Sequence, residues 1–213
     1  MVCPSILLVD FDGTACHSLP ALREHFLSFM KDHGARAWLS DFDRLNGQPV
    51  AECMAILARE GLLTGDVDEL TVRYHEGLDT AVITSEPSAG LADLVEFCSE
   101  RGVAVAIVSS GRAGPINAWL RGHDLDHRIS HVVSSESVSR GKPSPEPYLT
   151  AMAMTGRVPE ECVAVEDSAA GVESSLSAGI ETFVVADVDD KRAQRVGGLA
   201  ELQTVLEARC LPS

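Results

Sequence analysis

The sequence predicts an α/β fold: a parallel sheet covered by helices on both faces, with a helical segment inserted after the first strand. Two observations carry that reading. Short apolar runs alternate with amphipathic helical patterns along most of the chain, and continuous rather than alternating apolarity marks strands buried on both sides. The rhythm fails once. After the first strand, about 90 residues pass before the second, where such a connection is normally a few residues plus one helix.

In chain order, the first strand reads Ser5–Asp10. The insert reads as helices over Leu19–His33, Pro49–Glu60 and Val67–Thr84, punctuated by His33-Gly34, Asn46-Gly47 and Gly65-Asp66. The regular alternation then resumes with helix Gly90–Arg101, strand Val103–Ser109, helix Pro115–Arg121 and strand Ile129–Val133. Helix Pro145–Thr155, strand Cys162–Glu166, helix Ala169–Ala178, strand Thr182–Val185 and a closing helix Gly198–Arg209 complete it. The expected organisation is one core domain, residues 1–16 and 88–213, with a helical subdomain at 17–87.

Composition narrows the functional classes. At 213 residues, with 45% hydrophobic and 23% charged residues, the chain can bury a core without metal or disulfide staples. Its formal net charge of −15 disfavours nucleic acid and anionic membranes as partners. No run approaches the roughly 20 apolar residues of a membrane span. The start Met1-Val2-Cys3-Pro4 lacks the basic segment of a secretory leader, so a cytoplasmic protein is expected, as monomer or homodimer. Cys3, Cys16, Cys53, Cys98, Cys162 and Cys210 show no metal-binding spacing and read as reduced, buried hydrophobes.

Ligands in open α/β sheets bind beyond the carboxyl ends of the strands, and those ends share one chemistry here. Strand one runs into Asp10-Phe11-Asp12-Gly13-Thr14, and strand two into Ser109-Ser110-Gly111-Arg112. Gly141-Lys142-Pro143 follows strand three, and strand four ends in Glu166-Asp167-Ser168. Gathered carboxylates repel unless a cation joins them, and hard oxygen ligands suit Mg²⁺, which keeps room for a substrate phosphate. Lys142, the Ser109 hydroxyl and the amides around Gly13, Ser110 and Gly111 supply donors for that phosphate. Asp10 and Asp12 are two residues apart and share one side of an extended backbone. One is suited to attack phosphorus and the other to carry the leaving-group proton.

Taken singly, each piece has a plainer reading as a cap, turn or solvated residue; four in order at strand ends do not. The pattern Asp10-Phe-Asp12-Gly-Thr14, Ser109, Gly141-Lys142-Pro143-Ser144-Pro145 and Val165-Glu166-Asp167-Ser168-Ala-Ala-Gly171 resembles the haloacid dehalogenase superfamily of aspartate-nucleophile phosphohydrolases, subclass I with a helical cap. The resemblance spans essentially the whole chain. It implies a Rossmann-like core, a mobile cap and an aspartyl-phosphate on Asp10, with Asp12 as acid and then base. It also implies Mg²⁺ on Asp10, the Asp12 carbonyl oxygen and Asp167 with Glu166 assisting, and Ser109 and Lys142 on the phosphoryl group.

The substrate implied is a small phosphorylated metabolite, such as a sugar phosphate. Gly47 and Gln48, with Arg44 and Asn46, sit where the family's cap loop sets specificity, and Arg112 resembles a substrate-contacting position. A β-phosphoglucomutase-type phosphohexomutase is the nearest rival. That enzyme has a Thr and a His four apart after the first motif and a cap arginine after the loop glycine, whereas this chain has Ser18 with Leu22, and Gln48-Pro49 after Gly47. Both departures favour a phosphatase. A phosphometabolite-binding protein with weak turnover is the second alternative. His17 or Ser18 is expected to cap the first inserted helix, with Pro20 in its first turn. Trp38 and Trp119 read as packing residues, and Asp187 as a strand-end residue near the site.

Overall fold

The computed structural model describes residues 3–210. Six parallel strands form one sheet: β1 (Ile6–Val9), β2 (Ala104–Val108), β3 (His131–Val133), β4 (Cys162–Glu166), β5 (Glu181–Val184) and β6 (Gln194–Arg195), in the order β3-β2-β1-β4-β5-β6. The order reverses direction between β1 and β4, the switch point where open sheets leave a crevice beyond the strand ends.

Alternate residues of the central strands feed two apolar layers. Leu7, Val9, Val105, Ile107, Val163 and Val165 face one side, with α5 (Leu91–Glu100), α6 (Ala113–Gly122) and α9 (Leu199–Arg209) packed over them. Ile6, Leu8, Ala106, Val108 and Ala164 face the other, with Tyr148, Ala151 and Met152 of α7 (Glu146–Thr155) in the same cluster. The helix α8 (Ala169–Ser177) follows β4 and leads into β5. Burial on both faces explains why these strands read as uninterrupted apolar runs.

Between β1 and α5 the chain forms α1 (Leu19–Asp32), α2 (Leu39–Leu45), α3 (Val50–Arg59) and α4 (Val67–Ile83). Their apolar residues, including Phe26, Phe42, Met54 and Tyr74, are continuous with the first sheet layer. The two connections to this segment run side by side. Cys16 bridges Pro87, His17 N–H donates to the Glu86 carbonyl at 2.8 Å, and Ser88 N–H donates to the Ala15 carbonyl at 2.8 Å. Nearby, the indole of buried Trp119 donates to the Ser85 carbonyl at 2.6 Å and meets Phe11 edge to face, ring centres 5.1 Å apart.

Several expectations need correction. Helix α2 and strand β6 were not expected; one is a single short amphipathic stretch and the other two exposed residues, too brief for any periodicity to register. Strand β3 starts at His131 rather than Ile129, because a 3₁₀ turn at Asp126–Arg128 occupies the approach. Trp38 is 59% exposed and stacks under Arg36 instead of packing. Asp187 is exposed and paired with Arg195. Neither Ser18 nor exposed His17 caps α1 through its side chain; Pro20 does lie in the first turn. Cys3 and Cys210 are joined in a disulfide across a sequence separation of 207, so these two are not the reduced thiols expected, while Cys16, Cys53, Cys98 and Cys162 are free.

Candidate active site

Sheet register builds the site. Val9 pairs with Ile107 on one side and Val165 on the other, so the next residue along β1, Asp10, stands between Val108 and Glu166. The Lys142 ammonium, 1% exposed, spans all three positions: it donates to Asp10 Oδ1 at 2.6 Å, to Glu166 Oε1 at 2.5 Å and to the Val108 carbonyl at 2.9 Å. Two buried carboxylates beside it hold Lys142 above its ordinary pKa, against the opposing effect of its own burial. Glu166 is raised by burial and by Asp10, which outweigh the pull of Lys142.

Tyr148, on α7, was missed by sequence reasoning. Its fully buried hydroxyl donates to Glu166 Oε1 at 2.5 Å, so Glu166 is gripped from two sides. An aromatic residue on an apolar helix carries no sequence signal for that contact.

Asp10, Glu166 and Asp167 each present a carboxylate oxygen within 4.8 Å of the others, all three residues buried. Asp10 Oδ2 has no hydrogen-bond partner, and burial with the charges of Asp10 and Glu166 pushes Asp167 well above the usual carboxylate range. Clustered hard oxygens with an orphaned acceptor fit a divalent cation. Glycines make room for the cluster. Gly13 has φ +83, and a Cβ there would lie 2.1 Å from Asp167 Oδ2; one on Gly171 would lie 1.9 Å from Glu166 Oε2.

The Asp12 carboxylate is not in this cluster. It accepts from Ser18 Oγ at 2.7 Å, the role Ser18 has in place of capping. Burial, with a smaller contribution from Asp10, raises Asp12 to about 6, although the Ser18 hydrogen bond pulls the other way. Ser109 is buried, and its Oγ accepts from Gly111 N–H at 2.9 Å. Asp10, Asp12, Ser109 and Asp167 all line one cavity.

The loop between α2 and α3 closes over that cavity. Asn46 Nδ2 donates to Asp167 Oδ2 at 3.2 Å, and Ser110 Oγ donates to the Gly47 carbonyl at 2.7 Å. Gly47 has φ +85 and approaches so closely that a Cβ would stand 2.3 Å from Ser168 Oγ. Gln48 lines the cavity while its amide donates back to the Arg44 carbonyl at 3.4 Å. Arg44 itself turns away to pair with Glu60 and Asp41, contrary to its expected place at the mouth. Arg112 lines the cavity in an ion pair with Asp79 of α4.

Among known proteins, residues 7–185 match the haloacid dehalogenase-like hydrolase family. Hexitol phosphatase A of Escherichia coli is 32% identical over 209 residues, covering 89% of this chain and 87% of that protein. The phosphorylated carbohydrates phosphatase of Thermotoga maritima is 28% identical over 202 residues, covering 92% of each. The solved structure of β-phosphoglucomutase from Clostridium difficile shares the fold with a TM-score of 0.84 at 15% identity, over 99% of this chain and 97% of that one.

Proposed function

This chain belongs to the haloacid dehalogenase-like hydrolases, and on that premise we propose that it is a Mg²⁺-dependent phosphatase of a small phosphomonoester. The observation that carries the reading is Asp10: it lines the cavity, Lys142 fixes one of its carboxylate oxygens, and the other is left without a partner. The relatives' names, a hexitol phosphatase and a phosphatase of phosphorylated carbohydrates, support a sugar or polyol phosphate as substrate.

Asp10 attacks phosphorus, forming an aspartyl-phosphate as the bond to the leaving oxygen breaks. Asp12, raised toward neutrality by burial, hands that oxygen its proton. Water then attacks the same phosphorus, Asp12 takes its proton, and inorganic phosphate departs with Asp10 restored. Lys142 and Ser109 hold the transferring group. Asp10, the Asp12 carbonyl, Asp167 and Glu166 would hold Mg²⁺, which when bound supplies charge neutralisation for the phosphoryl oxygens. The paired connections at residues 15–17 and 86–88 support a reading of residues 17–87 as a cap, whose loop at Asn46–Gln48 excludes water when shut.

Asp10→Asn is expected to abolish phosphate release with the fold intact by circular dichroism, and chelation is expected to silence the parent until Mg²⁺ is returned. Substantial turnover by the variant refutes the nucleophile assignment. A phosphohexomutase is disfavoured because Gln48, not a cation, follows Gly47. Incubation with β-glucose 1-phosphate and a trace of its bisphosphate tests it: glucose 6-phosphate appearing faster than free phosphate means a mutase.

A further inference from the structure

We propose that Asp79 and His75 of α4, together with Arg112, select an uncharged, hydroxyl-rich leaving group, Asp79 acting by masking the Arg112 charge. The proposal rests on the phosphatase reading and names its substrate class. Arg112 is the one positively charged side chain among the described residues lining the cavity, whose carboxylates are Asp10, Asp12, Asp79 and Asp167. Its Nη2 is bonded to Asp79 Oδ2, so the positive charge meets its match within the wall.

Two polar atoms of the same wall are nevertheless unsatisfied. Arg112 Nε and His75 Nδ1 are both buried without a hydrogen-bond partner. His75 and Asp79 are four residues apart on α4 and share one helix face. The wall therefore presents an acceptor carboxylate, an arginine donor and an imidazole nitrogen. Burial, and then Arg112, lower the His75 pKa, so this ring adds no second positive charge at neutral pH. Hydroxyl groups, each donor and acceptor at once, answer such a set. A carboxylate or a second phosphate on the leaving group meets an arginine already neutralised and an aspartate of its own sign. Around these groups the cavity is apolar, with Leu22, Phe26, Leu78 and Ile116, a surface suited to the C–H faces of a polyol chain.

The experiment compares kcat/KM for sorbitol 6-phosphate and for phosphoglycolate in the parent, Asp79→Asn and Arg112→Met, each checked for folding by circular dichroism. The parent should prefer the polyol ester. Asp79→Asn unmasks the arginine and should shift the ratio toward phosphoglycolate by at least about tenfold, the scale of one charge acting across several ångströms at an effective dielectric of roughly 20. Arg112→Met exposes the aspartate and should shift the ratio the opposite way. An unmoved ratio, or equal losses on both substrates as expected of a pair that only braces α4 against α6, overturns the proposal alone. If Asp79→Asn does not fold, the Arg112→Met ratio decides by its sign. A parent that hydrolyses no phosphomonoester overturns the phosphatase reading and this proposal with it.

Discussion

Lys142→Met puts the electrostatic account of the site under the sharpest test, because Met matches the lysine out to Cε with an unbranched apolar stem and lacks the ammonium. That ammonium makes three hydrogen bonds, two of them to carboxylates buried with it. Removing one partner of a buried ion pair typically costs about 3–5 kcal/mol, since a charge is left without compensation. Against total stabilities of about 5–15 kcal/mol this is a large fraction. The pH dependence gives the signature. Lys142 is held above its ordinary value, so it stays charged throughout the acidic and neutral range and is neutralised only at strongly alkaline pH; what changes in between is the charge of its partners. Glu166 and Asp167 are raised by burial, and Lys142 pulls both down; without it both rise further. Folded carboxylates with raised pKa bind protons that the unfolded chain releases, so stability grows as pH falls through their folded values. The deficit of the variant should therefore be about 3–5 kcal/mol at pH 8 and visibly smaller at pH 5, measured by urea unfolding in chelated buffer. A deficit under 1 kcal/mol, or one equal at both pH values, would refute the assignment of Lys142 as the counter-charge of the cluster.

Two further outcomes follow from other contacts. Ser18→Ala removes the hydrogen bond that lowers Asp12, which burial already lifts to about 6. Asp12 enters the first step as the proton donor, so the alkaline limb of the kcat/KM profile should then move up by about one pH unit, and a limb that stays in place would detach Asp12 from the proton transfer. Cys3→Ser opens a closure spanning 207 residues; the chain-entropy relation gives about 5 kcal/mol as the ceiling of the resulting loss. Dithiothreitol should lower the parent's urea midpoint and leave that of the variant alone, and a parent indifferent to the reductant would argue that the bridge contributes no stability.

How much was legible in the sequence divides along a physical line. Asp10, Ser109 and Glu166 occupy the ends of strands whose uninterrupted apolarity announced them, and parallel pairing then brings those ends together. For such residues position in the chain is nearly position in space. Lys142 reaches the same point from a loop, and its motif context rather than any periodicity gave it away. The cysteine pair shows the opposite case: Cys3 and Cys210 are 207 residues apart, and they meet through tertiary packing, α9 lying beside α5, that no local pattern announces.

The residues that escaped notice lie on helices. Tyr148, His75 and Asp79 were invisible because a helix shows which face is apolar but not what its neighbours bring to that face. Tyr148 sits in an apolar layer whose other wall is the carboxyl end of β4, and Asp79 meets Arg112 only because α4 packs across α6. This asymmetry follows the division of labour in the site. The groups proposed to handle phosphorus lie at or beside strand ends fixed by backbone register, which few side-chain substitutions can alter. Groups that would read the leaving part of the substrate are placed by helix packing between the insert and the sheet layer, which tolerates change at single positions. Altered specificity should therefore arise first on the inward face of α4 and in the loop at Asn46–Gln48, while Asp10, Lys142 and Glu166 keep their geometry.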